Sequence, residues 1–336
     1  MTRSTLSVYA PVRICDVGGW TDTWFAGHGH VCSIAVNPGV QITITPHPDT
    51  LTICVADAPH VNLEALRKQH PLLAAALAEI PPPPTSGWHI HISADMPPGC
   101  ATGTSAAVSV ALLAALSYLH GDRLTPYQAA RTAHILETAR LGMQSGIQDQ
   151  MAAAFGGINE IIMSDYPDCQ VNPCRVAPQT SAELNAQLQL WYLGRPHQSS
   201  QVHEEVIRRL ETVAETQQLL QPLRDAAAAA SAALLAGDLR RYGIALQQNT
   251  IAQHRLHPAL ICADATALID YAQRAGALGW KVNGAGGDGG SVCVLWPDST
   301  SANHHRTAIR DQIPTLQFIP IQLCDTGIRY ESEHEE

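Results

Sequence analysis

Lysine is nearly missing from this chain: among 336 residues only Lys68 and Lys281 occur. Lysine and arginine together number 20 against 30 acidic residues, a formal net charge of −10. That balance argues against nucleic acid or an anionic membrane as the main partner. It leaves room for a nucleotide, which needs only a small local positive site. The scarcity of lysine also excludes a P-loop, because no Gly-rich segment here ends in G-K-[ST]. The nine cysteines form no C-x-x-C pair, which argues against a zinc site or a disulfide framework. They read as reduced thiols in a cytoplasmic protein. Of the sixteen histidines, only His28/His30, His89/His91 and His304/His305 stand close together. Strand alternation accounts for the first two pairs as well as a metal would. Long hydrophobic runs are absent too. The alanine-rich stretches at 72–77 and 226–230 are too short to cross a bilayer. The opening MTRSTLSVYAPVRI has no signal-peptide core. What remains is 46% hydrophobic and 15% charged, enough for one large or two ordinary domains.

The first half alternates strand and helix signals. Strands are expected at 4–14, 31–36, 40–45, 51–56 and 88–94, with a turn at Asn37-Pro38-Gly39. A helix is expected over 61–80, closed by an exposed loop at Pro81–Pro84. Helices near 103–120, 126–141 and 145–155 follow, then strands near 157–163 and 171–176. From about 186 the order becomes strand (187–194), several helices (202–276), strand (280–283), strand (291–296), helix (303–312) and strand (316–323). That is the order of a ferredoxin-like split βαβ unit with added helices. The fold class is therefore α+β, with domains expected at 1–180 and 181–336.

The segment Pro97–Leu116, PPGCATGTSAAVSVALLAAL, carries the most chemistry. A strand leads into a loop of Gly, Thr and Ser, and an apolar helix follows. Unpaired amides and the positive end of the helix dipole favour an anion there. The cradle would consist of Pro98, Gly99, Cys100, Ala101, Thr102, Gly103, Thr104, Ser105 and Ala106, and its expected guest is a phosphate chain. A buried helix capped by Thr102 or Thr104 would have the same sequence, so this segment alone leaves both readings open. Two further Gly-rich segments lie far away, PVRICDVGGWTDTW at 11–24 and KVNGAGGDGGSVCVL at 281–295. Between them stands LGMQSGIQDQMAAAFGGINE at 141–160.

In this order the segments resemble the GHMP kinases, the small-molecule kinases named after galactokinase, homoserine kinase, mevalonate kinase and phosphomevalonate kinase. The resemblance covers nearly the whole chain. GGWTDT (18–23) and IQDQMAAAFGGIN (147–159) look like the L-fucokinase and heptose 7-phosphate kinase branch. The family implies an N-terminal domain like domain 2 of ribosomal protein S5 and a ferredoxin-like C-terminal domain. It also implies ATP and Mg²⁺ as cofactors, and transfer of phosphoryl to the anomeric hydroxyl of a sugar or sugar phosphate. A homodimer is compatible with it.

The resemblance also assigns roles. Asp149 would accept or orient the sugar hydroxyl proton, with Arg13 beside it to stabilise charge on the transferring phosphoryl. Glu137 and a hydroxyl of Ser105 or Thr104 would hold Mg²⁺. Asp22 would accept hydrogen bonds from sugar hydroxyls. Trp20 would stack on the sugar or pack in the core. Gly19, Gln148, Gly284, Ala285 and Gly286 would border the substrate. Taken singly, Glu137 is an ordinary exposed helix residue, Asp149 an N-cap and Arg13 a surface ion-pair partner. Arg195, with Ser199 and Ser200 at a helix start, would seat a substrate phosphate or merely cap that helix.

Two positions depart from the family pattern. Ala101 stands where glycine is usual, and Asp288 puts a carboxylate in the third glycine-rich loop. Two rival functions follow from the same residues. A kinase of another small alcohol, such as mevalonate, would want a cationic anchor where this chain has Asp22. A non-catalytic sugar or nucleotide sensor has no need of Arg13, Glu137 and Asp149 together.

Overall fold

The structure, a computed structural model, describes residues 5–48, 50–56, 63–84, 87–196 and 201–333. The first half runs β1 (Thr5–Val17), β2 (Gly29–His47), β3 (Leu51–Val55), α1 (Leu63–Gln69), α2 (Pro71–Glu79), β4 (Gly87–Ala94) and α3 (Thr104–Leu119). It continues with α4 (Pro126–Ile135), α5 (Gln148–Phe155), β5 (Ile158–Asp165) and β6 (Asp168–Pro173). The second half runs α6 (Pro178–Gln187), β7 (Leu188–Tyr192), α7 (Gln201–Thr212), α8 (Thr216–Leu235), α9 (Leu239–Leu256) and α10 (Ala263–Arg274). Then come β8 (Gly279–Val282), β9 (Ser291–Leu295), α11 (Ser299–Gln312), β10 (Gln317–Ile319), β11 (Gln322–Leu323) and β12 (Arg329–Glu333).

Strands β1 and β2 are rich in Val and Ile, which suit a pleated buried surface. They pair antiparallel and centre a sheet of order β12-β1-β2-β4-β3, with β5 and β11 also paired to β2 and β6 to β5. Helix α3 is apolar nearly all round, so it is buried rather than half-exposed. It packs on β1 and β2, with α4 and α5 beside it. The second sheet has order β10-β7-β9-β8, all antiparallel. That is the 4-1-3-2 order of a ferredoxin-like unit, as the element types implied.

The two halves share one core. Ala226, Ala227 and Ala230 of α8 are buried in the same cluster as β1 and β2. The alanine run lets α8 approach the loop after β1 closely. A Cβ built on Gly18, whose φ is +93°, would lie 2.8 Å from the Ala227 Cβ and 2.0 Å from the His30 carbonyl oxygen. Only glycine fits that turn.

Several local expectations need correction. Asn37-Pro38-Gly39 is not a turn between two strands. It lies inside the single strand β2, opposite a register shift between Ala10 and Val12 of β1. A proline without an N–H is tolerated at such a bulge. The expected 61–80 helix is broken at His70, because Pro71 disfavours helical backbone in the residue before it. The expected 316–323 strand divides at Pro320. β10 joins the second sheet, and β11 pairs with β2 of the first. Two elements were not anticipated, α6 and β12. β12 returns the chain to the edge of β1. A division near residue 180 therefore separates the two sheets except for β11 and β12.

Arg224 fastens the halves together. It is buried on α8 and donates to the carbonyls of Ala26 (3.0 Å) and His28 (2.9 and 3.1 Å). Both carbonyls belong to the loop that follows GGWTDT. Arg224→Met takes the charged donor from the His28 carbonyl, while the Ala26 carbonyl keeps the Gln217 amide and the His28 N–H, so the expected loss is about 1–3 kcal/mol of folding stability. Urea denaturation checks this. An unchanged midpoint would show that Arg224 contributes nothing there.

Candidate functional site

The loop from β4 to α3 turns three times through the left-handed region. Gly99, Ala101 and Gly103 have φ of +68°, +58° and +71°. Gly103 is the N-cap of α3, so the amides beyond it face outward rather than into a previous turn. The loop lines a cavity of about 300 Å³ together with Arg13, Asp149, Gly284 and Ala285. Of the nine cradle residues expected from sequence, Gly99 through Ser105 line it. Pro98 and Ala106 do not. The Pro98 carbonyl accepts from the Tyr192 hydroxyl (3.4 Å), and Ala106 is buried in α3.

Arg13 comes from β1 and Asp149 from the first turn of α5. They form a two-donor pair, Nε to Oδ1 at 2.8 Å and Nη2 to Oδ2 at 3.1 Å. Nη1 donates to the Ala101 carbonyl, and the Arg13 main-chain N–H donates to the Thr102 carbonyl at 3.0 Å. Arg13 is buried, not a surface residue. Burial by itself lowers its pKa, but the charges of Asp149 and Asp16 outweigh that and raise it.

A second cavity, of about 160 Å³, also borders this pair. Arg13, Asp149, Gly284 and Ala285 line both cavities. The second is otherwise walled by Asp16, Asp22, Gln148, Trp20, Trp24, Phe25, His203 and Ile207, among others. Asp22 is buried and accepts from the Gln148 main-chain N–H at 3.0 Å. Burial raises its pKa to about 6; the Gln148 N–H opposes the shift, and the charge of Asp149 adds to it. Gln148 borders this cavity, and its side-chain oxygen is buried without a partner. Trp20 is a core residue that also reaches a cavity. It packs with Ala26, Val206 and Ile207 and still borders the cavity, its indole N–H donating to the Ala285 carbonyl at 3.2 Å.

The other expected residues fall in different places. Gly19 is structural: a Cβ there would lie 2.8 Å from an Asp16 carboxylate oxygen. So is Gly286, where a Cβ would lie 2.3 Å from the Leu260 carbonyl. Asp288 is exposed and lines neither cavity. Arg195 also lines neither; its exposed guanidinium is paired with Asp264. Ser199 and Ser200 lie outside the described residues.

Glu137 is buried in a π-helical turn at Leu136–Arg140, not exposed on a helix. Its Oε2 accepts from the Ser145 hydroxyl and the Gln150 amide, each at 2.8 Å, while Oε1 has no partner. Burial raises its pKa to about 7. The Ser145 hydrogen bond opposes this and the charge of Asp149 adds to it. Among the described residues no group of three or more His, Cys, Asp or Glu could hold a metal. Glu137 itself lines neither cavity, although Ser145, which donates to it, lines the second; one orphaned carboxylate oxygen matches the small protein share of a Mg²⁺ that takes its other ligands from phosphate and water.

Asp16 and Lys281 escaped the sequence reading. They form a buried pair, Nζ to Oδ1 at 3.4 Å. A charged residue inside the apolar strand VRICDV was the available signal.

No helix among the described residues is long and apolar enough to cross a membrane. The family model for the GHMP kinases N terminal domain matches residues 64–157, and that for the GHMP kinases C terminal matches residues 230–314. A D-glycero-alpha-D-manno-heptose 7-phosphate kinase of Campylobacter jejuni is 24% identical over 217 residues, 60% of this chain and 63% of that protein. A bifunctional fucokinase/GDP-fucose pyrophosphorylase of Arabidopsis thaliana is 24% identical over 331 residues, 90% of this chain and 31% of that protein. The matches thus span less than two thirds of either relative. The crystal structure of a D-glycero-D-manno-heptose 1-phosphate kinase from Bacteroides thetaiotaomicron superposes with a TM-score of 0.76 at 22% identity, covering 98% of this chain and 100% of that one. With both halves matched on one chain and one fold shared along its length, the chain belongs to the GHMP kinases, a family of small-molecule kinases.

Proposed function

We propose that this chain uses ATP and Mg²⁺ to phosphorylate a sugar at its anomeric hydroxyl. One observation supports this most: the Arg13–Asp149 pair borders both cavities. A phosphate chain in the loop cavity and a hydroxyl in the second cavity would meet at this pair. Glu137 and the hydroxyl of Thr104 or Ser105 would hold Mg²⁺, which when bound would supply charge neutralisation on the phosphates.

The chain's own residues do the rest. Asp149 orients the acceptor hydroxyl and takes its proton. Arg13 fixes that carboxylate with two donors and places positive charge where the transferring phosphoryl develops negative charge. Asp22 and the free Gln148 oxygen accept hydrogen bonds from ring hydroxyls. Trp20, Trp24 and Phe25 exclude water and offer flat faces to a sugar ring.

The second cavity carries the carboxylates of Asp16, Asp22 and Asp149 against the guanidinium of Arg13, with the Lys281 ammonium buried behind Asp16, which leaves an acidic balance. That lining favours an uncharged acceptor and repels an acid such as mevalonate. Heptose phosphate kinases and a fucokinase both stand among the relatives. With Arg195 paired outside, the reading favours a free sugar over a sugar phosphate.

Asp149→Asn is expected to keep nucleotide affinity and lower kcat by roughly 10²–10⁴-fold. Wild-type turnover on the best sugar in a coupled ADP-release assay would remove Asp149 from the mechanism. Arg195→Ala is expected to change kcat/KM less than about threefold on a free sugar and on its phosphate alike, as for an exposed ion pair. A selective loss of about tenfold or more on the phosphorylated form would restore Arg195 as a phosphate anchor.

Glu137 gives a pH test. Its carboxyl goes from an ordinary 4.5 to about 7 on folding. Between those values the folded, metal-free chain holds a proton that the unfolded chain has released. Its stability therefore falls as pH rises through that window and levels off above it. Mg²⁺ competes with that proton, so the rise in Tm given by MgATP is expected to grow from about pH 5.5 to 8. In Glu137→Gln both slopes flatten. Scanning fluorimetry across pH checks this, and identical slopes in the two proteins would take Mg²⁺ away from Glu137.

A further inference from the structure

Asp16 is 1% exposed, yet it touches more of the site than any acid there. Its oxygens accept from the Gly284 N–H at 3.0 and 3.1 Å and from Lys281 Nζ at 3.4 Å. The Gln148 amide donates to it at 3.5 Å, and Arg13 Nη1 lies 3.9 Å away. Arg13 and Gln148 come from the first half of the chain, whereas Lys281 and Gly284 come from the second. Lys281 has no room for a substrate. Its ammonium is enclosed by Asp16, Gln253 (3.4 Å) and the Val282 carbonyl.

Gly284 is also where the glycine loop meets the phosphate loop. A Cβ on Gly284, whose φ is +66°, would lie 3.1 Å from the Ala101 Cβ and 3.8 Å from Arg13 Nη2. A shift of Gly284 therefore reaches both the cradle and the Arg13–Asp149 pair.

We infer that Asp16 is a positioning residue that ties Arg13 and Gln148 to the glycine loop at Gly284, with Lys281 as its buried counter-charge. Its catalytic consequence rests on the kinase reading above. Asp16 does not touch the reacting atoms in this role. It sets where Arg13 and Gly284 stand, and through them the line from donor phosphate to acceptor hydroxyl.

A purely structural ion pair predicts something different. Removing one partner of a buried pair is costly, but replacing both together is often near neutral. Asp16→Asn alone is therefore uninformative if it unfolds, and the double variant Asp16→Asn/Lys281→Met decides. The expected result is a Tm within a few degrees of wild type, with kcat lowered roughly 10–100-fold, as a misplaced reacting geometry costs. Recovery of kcat together with Tm would overturn the proposal. A crystal structure of the same variant gives a readout that needs no substrate. Arg13 is expected to leave its two-donor pairing with Asp149, or the Gly284 loop to move off the Ala101 turn. Both unmoved would overturn the positioning role. Should wild type phosphorylate no sugar, the kinase reading fails and this crystallographic comparison still decides on Asp16.

Discussion

A buried guanidinium must be ringed by acceptors, and the acceptors of Arg13 join three separate parts of the chain. Its Nε and Nη2 hold Asp149 at the start of α5, and Nη1 holds the Ala101 carbonyl. Its own backbone N–H, one residue of β1, holds Thr102. Desolvation works against the charge, and Asp149 and Asp16 more than offset it. The position of the 99–105 loop relative to Asp149 is thus set by one residue, through its side chain and its main-chain N–H. Both cavities share Arg13 and Asp149 in their walls.

The scarcity of lysine has a structural counterpart. One of the two lysines, Lys68, is an exposed partner of Glu64 on α1. The other, Lys281, is enclosed by Asp16 and Gln253. Neither lines the loop cavity. A phosphate chain there would meet backbone amides, the hydroxyls of Thr102, Thr104 and Ser105, the N-terminal end of α3 and the guanidinium of Arg13. Such a cradle suits a chain of strongly negative net charge, because it needs no lysine delivered from elsewhere.

What could be read from sequence was local. A strand, a Gly/Thr/Ser loop and an apolar helix in that order place amides at a helix start, and the structure builds that arrangement at 87–119. The βαββαβ order of the second half survives in the strand order of its sheet. What escaped was tertiary. The Asp16–Lys281 pair spans 265 residues, and no local spacing announces it. Arg195 before a helix allows a phosphate seat or a mere cap, and local sequence does not show that Asp264, 69 residues on, captures its guanidinium. Taken singly, Glu137 reads as an exposed helix residue, and only the π turn and the packing of α4 and α5 bury it. β12 reads as a polar tail, RYESE, because an edge strand carries polar residues and needs little apolar signal.

Ala101 shows how the two kinds of constraint meet. Its φ of +58° is the conformation for which glycine is usual, and holding a Cβ there costs on the order of 1–3 kcal/mol. The charged donor that Arg13 gives to the Ala101 carbonyl is worth roughly 1.5–3 kcal/mol. The two are of one size, so the turn is held while Arg13 is in place and loses its support when Arg13 leaves. The Ala101 Cβ also faces Gly284, where any side chain would press on it. The alanine that departs from the family pattern thus makes the shape of the 99–105 loop depend on the guanidinium that pairs with Asp149 and on Gly284, whose N–H donates to Asp16. Cradle, pair and anchor are one mechanical unit, and a glycine at this position would loosen that dependence by removing the strain.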